Sequence, residues 1–305
     1  MITYVAGNLF MSPAQVLVNT VNTEGVMGKG IALQFRKIYP EMFDEYQTLC
    51  ERGFLDIGKL WLYKSPHKWI LNFPTKRSWR QKSSPEFIRA GLAKLVEEFN
   101  DLRVYSMAFP ALGCGNGELD WESTVKPIMH EYLRLLPADI FIYPPLANDA
   151  VPEHREQTKI TAWLRSEPQA LPFSEVWLDL QRLLLSKNEF STSEKPYQAQ
   201  LVDREDDRHI LITTESRRYK LEYDDLRDIW TRFRAYGFLK RGLVSEVTKK
   251  VLYYIIPIFA ELPYVDRIEL SESGDFTDTV SGKKPLSGLQ YVAPVESVTQ
   301  PDLFF

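Results

Sequence analysis

Cysteine is scarce in this chain of 305 residues: there are two, Cys50 and Cys114. Two thiols are too few for a disulfide framework or a four-ligand zinc site. The four histidines are scattered without metal-ligand spacing, so neither a metal nor another resident cofactor is expected. Long apolar runs are lacking too. The longest, Val251 to Ala260, holds two tyrosines and a proline. It falls short of the roughly 18 residues needed to cross a bilayer and reads as core. Basic charge is not in excess: the net charge is −4 and the pI about 5.7. Non-specific attraction to a phosphate backbone should therefore be weak. No basic and apolar leader precedes the first strand-like run, Ile2-Thr3-Tyr4-Val5. The expectation is a cytoplasmic protein with no membrane partner.

What is present is ordinary globular material, 44% hydrophobic and 26% charged, long enough for two domains. Strand-like runs occur at Ile2–Val5, Val16–Val21, Lys59–Tyr63, Trp69–Phe73, Val104–Phe109 and Ile140–Tyr143. Helical spacing separates them: Ile31-Ala32-Phe35-Ile38, then Phe87 to Phe99 behind Ser84 and Pro85, then Val125 to Leu136 behind Asp120 as N-cap. Strands alternating with helices predict an α/β fold with a mostly parallel sheet covered on both faces. After Tyr143 the composition changes. Prolines 144, 145, 152, 168 and 172 punctuate a polar stretch. The division predicted is a first domain over 1–150, a linker over 151–175 (part of it, Glu153–Leu164, with helical character) and a smaller α+β domain over 176–305. In that last region Val176–Leu185, Tyr223–Tyr236 and Val244–Phe259 read as helices. Ala199–Val202 and His209–Thr213 read as strands, and the tail Ser281–Phe305 as partly mobile. About 22 acids and 18 bases follow residue 174, so the whole net negative charge sits there.

Three constellations carry chemistry. The first is Val18-Asn19-Thr20-Val21-Asn22, followed by Gly25-Val26-Met27-Gly28-Lys29-Gly30-Ile31-Ala32. A strand runs into a glycine-spaced turn that opens a helix, a geometry that aims unpaired N–H groups at an anion. It is neither a P-loop nor a dinucleotide fingerprint, since the spacing fails both, and an ordinary tight turn explains it equally well. The second is Pro110-Ala111-Leu112-Gly113-Cys114-Gly115-Asn116-Gly117-Glu118-Leu119-Asp120-Trp121. It too lies between a strand and a helix start, where open α/β sheets bind ligands. Two such cradles suit the two phosphates of a diphosphate. Cys114 has no histidine near it in sequence and reads as packing, not as a nucleophile. The third is Thr75-Lys76-Arg77-Ser78-Trp79-Arg80, a basic and aromatic loop released by a strand.

Together with Gly7-Asn8-Leu9, these segments resemble the signature motifs of the macrodomain family, and within it the DarG antitoxin branch, related to the animal terminal ADP-ribose glycohydrolase. The resemblance covers about residues 1–145. It implies a three-layer α/β/α sandwich that binds ADP-ribose. It implies that Asn8, with Leu9, meets the adenine side, or else that Asn8 is a turn residue. Asn22 is to hydrogen-bond the ribose bearing the scissile bond, or else cap the glycine loop. Asn19, Thr20, Gly28, Gly30, Ile31, Pro110, Leu112, Gly113, Cys114, Gly115, Asn116 and Gly117 are to line the ligand. Lys76 matches a lysine taken as catalytic in the glycohydrolase branches. It acts as a nucleophile toward the ribose, by electrostatic help to the leaving group, or merely as part of a basic loop. Arg77, Trp79 and Arg80 are expected to touch DNA. One departure stands out. The animal relative carries an acidic residue where this chain has Gly117. Asp120 is the substitute if the loop bends inward, and a helix cap otherwise.

The function implied is that of a glycosidase. It removes ADP-ribose from thymidine bases of single-stranded DNA and serves as antitoxin to a DarT-like toxin, which the second domain binds. The competing readings are a non-catalytic ADP-ribose reader, an ADP-ribose 1″-phosphate phosphatase and an O-acetyl-ADP-ribose deacetylase.

Overall fold

The computed structural model describes residues 1–145, 151–192, 195–240, 244, 249–270 and 286–292. The chain divides into two compact units, with the boundary between Ala162 and Trp163.

The first unit is built on six strands: β1 (Ile2–Tyr4), β2 (Val16–Asn22), β3 (Trp61–Lys64), β4 (Trp69–Lys76), β5 (Ser106–Pro110) and β6 (Asp139–Tyr143). Their order across the sheet is β1-β6-β5-β2-β4-β3. All pairings are parallel except the edge strand β3, which runs antiparallel to β4. The central strands are buried along nearly their whole length, as parallel strands covered on both faces must be. The helices form two pairs. One is α1 (Gly30–Ile38) with α2 (Pro40–Glu51), the other α3 (Pro85–Leu102) with α4 (Lys126–Leu133). Val18, Phe73, Leu92, Leu95, Phe109 and Ile142 are among the core residues packed between the sheet and the second pair. Ser84 occupies the N-cap position of α3, although its hydroxyl turns to Glu86. Asp120 caps the π-helical turn Trp121–Val125, its Oδ1 accepting from the Ser123 N–H at 2.7 Å.

The sheet has one irregularity. Along β2 and β4 the register runs from Val16 opposite Trp69 to Val21 opposite Pro74, then slips by one residue so that Asn22 faces Lys76. Pro74 has no N–H to give the ladder, and a bulge is where a strand tolerates that.

The segment expected as a linker over 151–175, with helical character over Glu153–Leu164, is ordered. It carries a 3-10 turn at Glu153–Arg155, a helix, α5 (Gln157–Ser166), and a second 3-10 turn at Pro168–Ala170. Residues 151–162 belong to the first unit. The physical reason is a set of buried ion pairs, described below, that no local pattern announces.

The second unit has a four-stranded antiparallel sheet, β10-β9-β8-β7, made of β7 (Glu189–Ser191), β8 (Pro196–Arg204), β9 (Asp207–Thr213) and β10 (Arg218–Glu222). It also has a small sheet, β11-β13-β12, from Phe238–Leu239, Leu286–Tyr291 and Val265–Leu270. Helices α6 (Phe173–Ser186) and α7 (Tyr223–Tyr236) each bury an apolar stripe. Trp230 is fully buried, edge-on to Phe233, Phe259, Tyr264 and Tyr291. Of the helix expected over Val244–Phe259, the structure shows Leu252–Phe259, and residues 245–248 lie outside the described residues. Most of the tail expected to be mobile also lies outside them. No helix among the described residues is long and apolar enough to cross a membrane.

Candidate active site

A cavity of about 820 Å³ opens among the loops that follow β2, β4, β5 and β6, at the carboxyl ends of the parallel strands. That size holds a dinucleotide-like ligand. Its walls come from Gly7 to Phe10, from the loop after β2, from the loop after β5, and from Tyr143, Pro144, Pro145, Pro152 and Glu153.

Two cradles of backbone N–H groups line it. In the first, α1 begins at Gly30, and among the described residues no protein acceptor is recorded for the N–H groups of Gly28, Gly30 and Ile31. In the second, the same holds for Gly115, Asn116 and Gly117. The cradles nearly touch: a Cβ at Gly30 would stand 2.8 Å from Asn116 Nδ2, at a φ of +61°. Only glycine takes that backbone at no steric cost and leaves that space.

Asn22 and Lys76 line the same cavity and are brought opposite each other by the register slip. Asn22 shapes the first loop. Its Oδ1 accepts from the N–H groups of Glu24 (3.0 Å) and Val26 (3.2 Å), and its Nδ2 donates to the Val26 carbonyl at 2.6 Å. Tyr46 donates its hydroxyl to the Asn22 carbonyl at 2.8 Å. One amide N–H of Asn22 remains for a ligand. Both roles raised for this residue are therefore compatible in one geometry. Asn8 likewise lines the cavity while its Oδ1 accepts from the Phe10 N–H at 3.0 Å.

Lys76 is buried and ion-paired. Its Nζ lies 2.5 Å from Glu153 Oε1, with the two side chains 7% and 6% exposed. It also donates to the Asn116 carbonyl at 3.4 Å. Burial pushes the Glu153 carboxyl above the usual carboxylate range, while Lys76 pulls it the other way. The segment that delivers Glu153 is pinned at several points. Lys29 donates to the Val151 carbonyl (2.5 Å) and pairs with Glu156 (2.6 Å). The Glu153 N–H donates to Asn116 Oδ1 at 3.2 Å. Glu118 gathers Lys82, His154 and Arg155, and the hydrogen bond from Lys82 is the main cause that holds its carboxyl below the usual range.

The structure brings together Asn8, Leu9, Thr20, Asn22, Gly28, Gly30, Ile31, Lys76, Pro110, Gly113, Cys114, Gly115, Asn116 and Gly117. Two residues expected to line the ligand, Asn19 and Leu112, do not, and the expected DNA contacts Arg77, Trp79 and Arg80 stand outside the lining. Asn19 is fully buried on the other side of its strand, donating to Asn72 Oδ1 at 2.9 Å. Leu112 is fully buried in the core. Trp79 is fully buried and cannot stack on a base. Arg77 is exposed and pairs with Asp56 at 2.7 Å. The Arg80 guanidinium lies 4.1 Å over the Trp79 ring. Burial pushes the Cys114 thiol up to about 12, which leaves it protonated near neutrality and suits its reading as packing.

The missing acid has a structural explanation. A Cβ at Gly117 would collide with the Gly113 carbonyl and the Ser83 hydroxyl, so no carboxylate fits there on this backbone. Asp120 is committed to its cap. Sequence reasoning missed Glu153, Lys29, Glu118 and His154. Glu153 lies 77 positions from Lys76, and no spacing rule links them.

Comparison with known proteins bears on this site. Residues 18–128 match the Macro domain family. A DNA ADP-ribosyl glycohydrolase of Mycobacterium tuberculosis is 39% identical over 209 residues, 62% of this chain and 59% of that protein. One of Thermus aquaticus is 42% identical over 152 residues, 48% of this chain and 42% of its own. A DNA ADP-ribosyl transferase-DNA ADP-ribosyl glycohydrolase fusion protein of Thermosipho africanus is 37% identical over 164 residues, 48% of this chain and 42% of its own. The chain thus spans about three fifths of the mycobacterial relative and less than half of the other two.

Proposed function

We propose, from the match of residues 18–128 to the Macro domain family, that the first unit is a macrodomain and the protein a DNA ADP-ribosyl glycohydrolase. Its substrate is ADP-ribose attached to thymidine bases of single-stranded DNA, and its biological role is that of antitoxin to a DarT-type toxin. The observation that carries this reading is one cavity lined by both N–H cradles and by Asn22 and Lys76, which the strand register pairs. A diphosphate held by both cradles directs its outer ribose to those two side chains. The names of the relatives supply the reaction, and the fusion relative joins the opposing transferase to such an enzyme in one chain.

In this reading backbone N–H groups of both loops neutralise the diphosphate, which costs little reorganisation because the loops are already formed. The free N–H of Asn22 orients the ribose. Lys76 acts at its anomeric carbon, where burial in a water-poor cavity strengthens whatever charge interaction it makes. The exposed Arg77 and the half-buried Arg80 lie on the loop that follows β4 and are the side chains assigned to DNA phosphates. The second unit, which carries most of the net negative charge of the chain, is assigned to the basic partner toxin.

The test is release of free ADP-ribose from thymidine-modified single-stranded DNA by the full chain. Release is expected from the parent and not from Lys76→Ala. Binding of ADP-ribose without release would make the protein a reader. Turnover confined to ADP-ribose 1″-phosphate or O-acetyl-ADP-ribose would replace the DNA substrate with a small molecule.

A further inference from the structure

We propose that Glu153 is the acid–base carboxyl of this site, the partner that takes and returns the proton of Lys76 during cleavage. This rests on the glycohydrolase reading above and adds a residue to it. Four observations carry it. Glu153 lines the same cavity as Lys76 and Asn22. Its Oε1 is 2.5 Å from Lys76 Nζ. The loop position that would otherwise hold a carboxylate, Gly117, has no room for a Cβ. The turn carrying Glu153 is fixed to both phosphate cradles, through Lys29 on one side and Asn116 on the other.

A buried lysine–glutamate pair exists in two tautomers that share one proton. In the ionic form the amine has no lone pair. Passing the proton from Lys76 Nζ to Glu153 Oε1 gives a neutral amine and a neutral carboxylic acid. The amine lone pair then bonds to the anomeric carbon as the bond from that carbon to the base nitrogen breaks, its electron pair leaving with the base. The Glu153 proton passes to the base nitrogen, so the base departs neutral and Glu153 is a carboxylate. Water next attacks the anomeric carbon. Its proton goes to Glu153, its hydroxyl stays on the sugar, and the bond to Nζ breaks with its electrons returning to nitrogen. The pair is back in its neutral tautomer, and the sum is one water consumed, one base and one ADP-ribose released.

The groups facing Glu153 are Lys76 on β4, Lys29 at the start of α1, His154 beside it in the turn, and Tyr46 on α2. Burial raises the Glu153 carboxyl, which suits a group that must hold a proton near neutrality.

The experiment compares parent, Glu153→Gln and Glu153→Asp in single turnover on modified single-stranded DNA across pH, with ADP-ribose affinity and Tm measured alongside. The parent should give a bell, because activity needs one proton on the pair and fails with two or none. Glu153→Gln should bind ADP-ribose within about threefold of the parent and lose roughly 10²- to 10⁴-fold in rate. Its profile should reduce to one rising limb. Glu153→Asp should recover part of the rate and the falling limb, which a packing role would not do. A Glu153→Gln rate equal to or above the parent overturns the proposal, as does an unchanged bell of lower height. If Glu153→Gln fails to fold, the aspartate variant decides: a profile without a falling limb refutes. If the parent itself releases nothing, the fault lies in the reading of the site as a glycohydrolase, and the inference falls with it.

Discussion

The buried pair makes a prediction about stability that can be measured without any substrate. Lys76→Met keeps most of the side-chain volume and removes the charge. Glu153, 6% exposed, is then left in a poorly solvated site without its cation. Breaking a buried ion pair on one side costs about 3–5 kcal/mol. The cost has a ceiling, because Glu153 can take a proton. Holding it neutral costs about 1.4 kcal/mol for each pH unit above its unfolded value of about 4.3. At pH 7 that is roughly 3–4 kcal/mol, and at pH 5 about 1 kcal/mol. For a unit of this size, about 1 kcal/mol moves Tm by roughly 2–4 °C. A loss of about 6–16 °C is therefore expected at pH 7 and only a few degrees at pH 5. The sign follows from burial, which raises the Glu153 carboxyl, once Lys76, which lowers it, is removed. The folded state holds this proton more tightly than the unfolded chain does. Its contribution is fully present below the unfolded value and is lost as pH rises through the folded one. Scanning calorimetry across pH, following the transition of the first unit, measures it. Lys76→Met/Glu153→Gln should recover most of the loss and flatten the pH dependence. A loss that is the same at both pH values, or the same in single and double variants, refutes the reasoning.

Gly30→Ala places a Cβ against Asn116 Nδ2 at a φ of +61°; ADP-ribose affinity by calorimetry should fall at least about tenfold, and an unchanged Kd would remove Gly30 from the cradle. Asn22→Ala orphans the N–H groups of Glu24 and Val26; each buried orphan costs about 1–3 kcal/mol, so Tm should drop by several degrees as turnover disappears. A parent-like Tm would deny the residue its role in shaping the loop. A fragment ending at residue 150 lacks Glu153, whereas one ending at Ser166 keeps it and all of α5; the shorter should lose turnover on modified DNA relative to the longer, and equal rates would show that the turn at 153–155 is dispensable.

Much of the first unit is legible in the sequence, for reasons that are local. The six strands are continuous apolar runs bounded by polar or turn residues, and all appear within a few residues of their expected limits. The glycine loops announce themselves by spacing. Helix α2 was not anticipated. It starts at Pro40 directly after α1, so Tyr39-Pro40 reads as a break instead of a new start, and its buried Gln47 interrupts the apolar stripe. Trp79 was misplaced because an aromatic between two arginines looks the same whether it stacks on a ligand or anchors a loop; tertiary burial decides. Glu153 was read only as the start of a helical stretch, and its pairing with Lys76 left no trace. A charge pair across 77 positions makes no periodic signal, and the surrounding prolines point toward a linker. The turn is ordered by what it meets, not by its own propensity.

The slip between β2 and β4 has a consequence for what the pocket can tolerate. Side chains on neighbouring strands keep a strict odd–even correspondence, and here one extra residue changes the parity at the strand tips so that amide and amine meet. That meeting is decided inside the sheet, upstream of every loop that touches the ligand. The rim is thereby free to lengthen, shorten or change composition without moving the two groups apart. Losing a single residue beside Pro74 would separate them while leaving the rim itself intact.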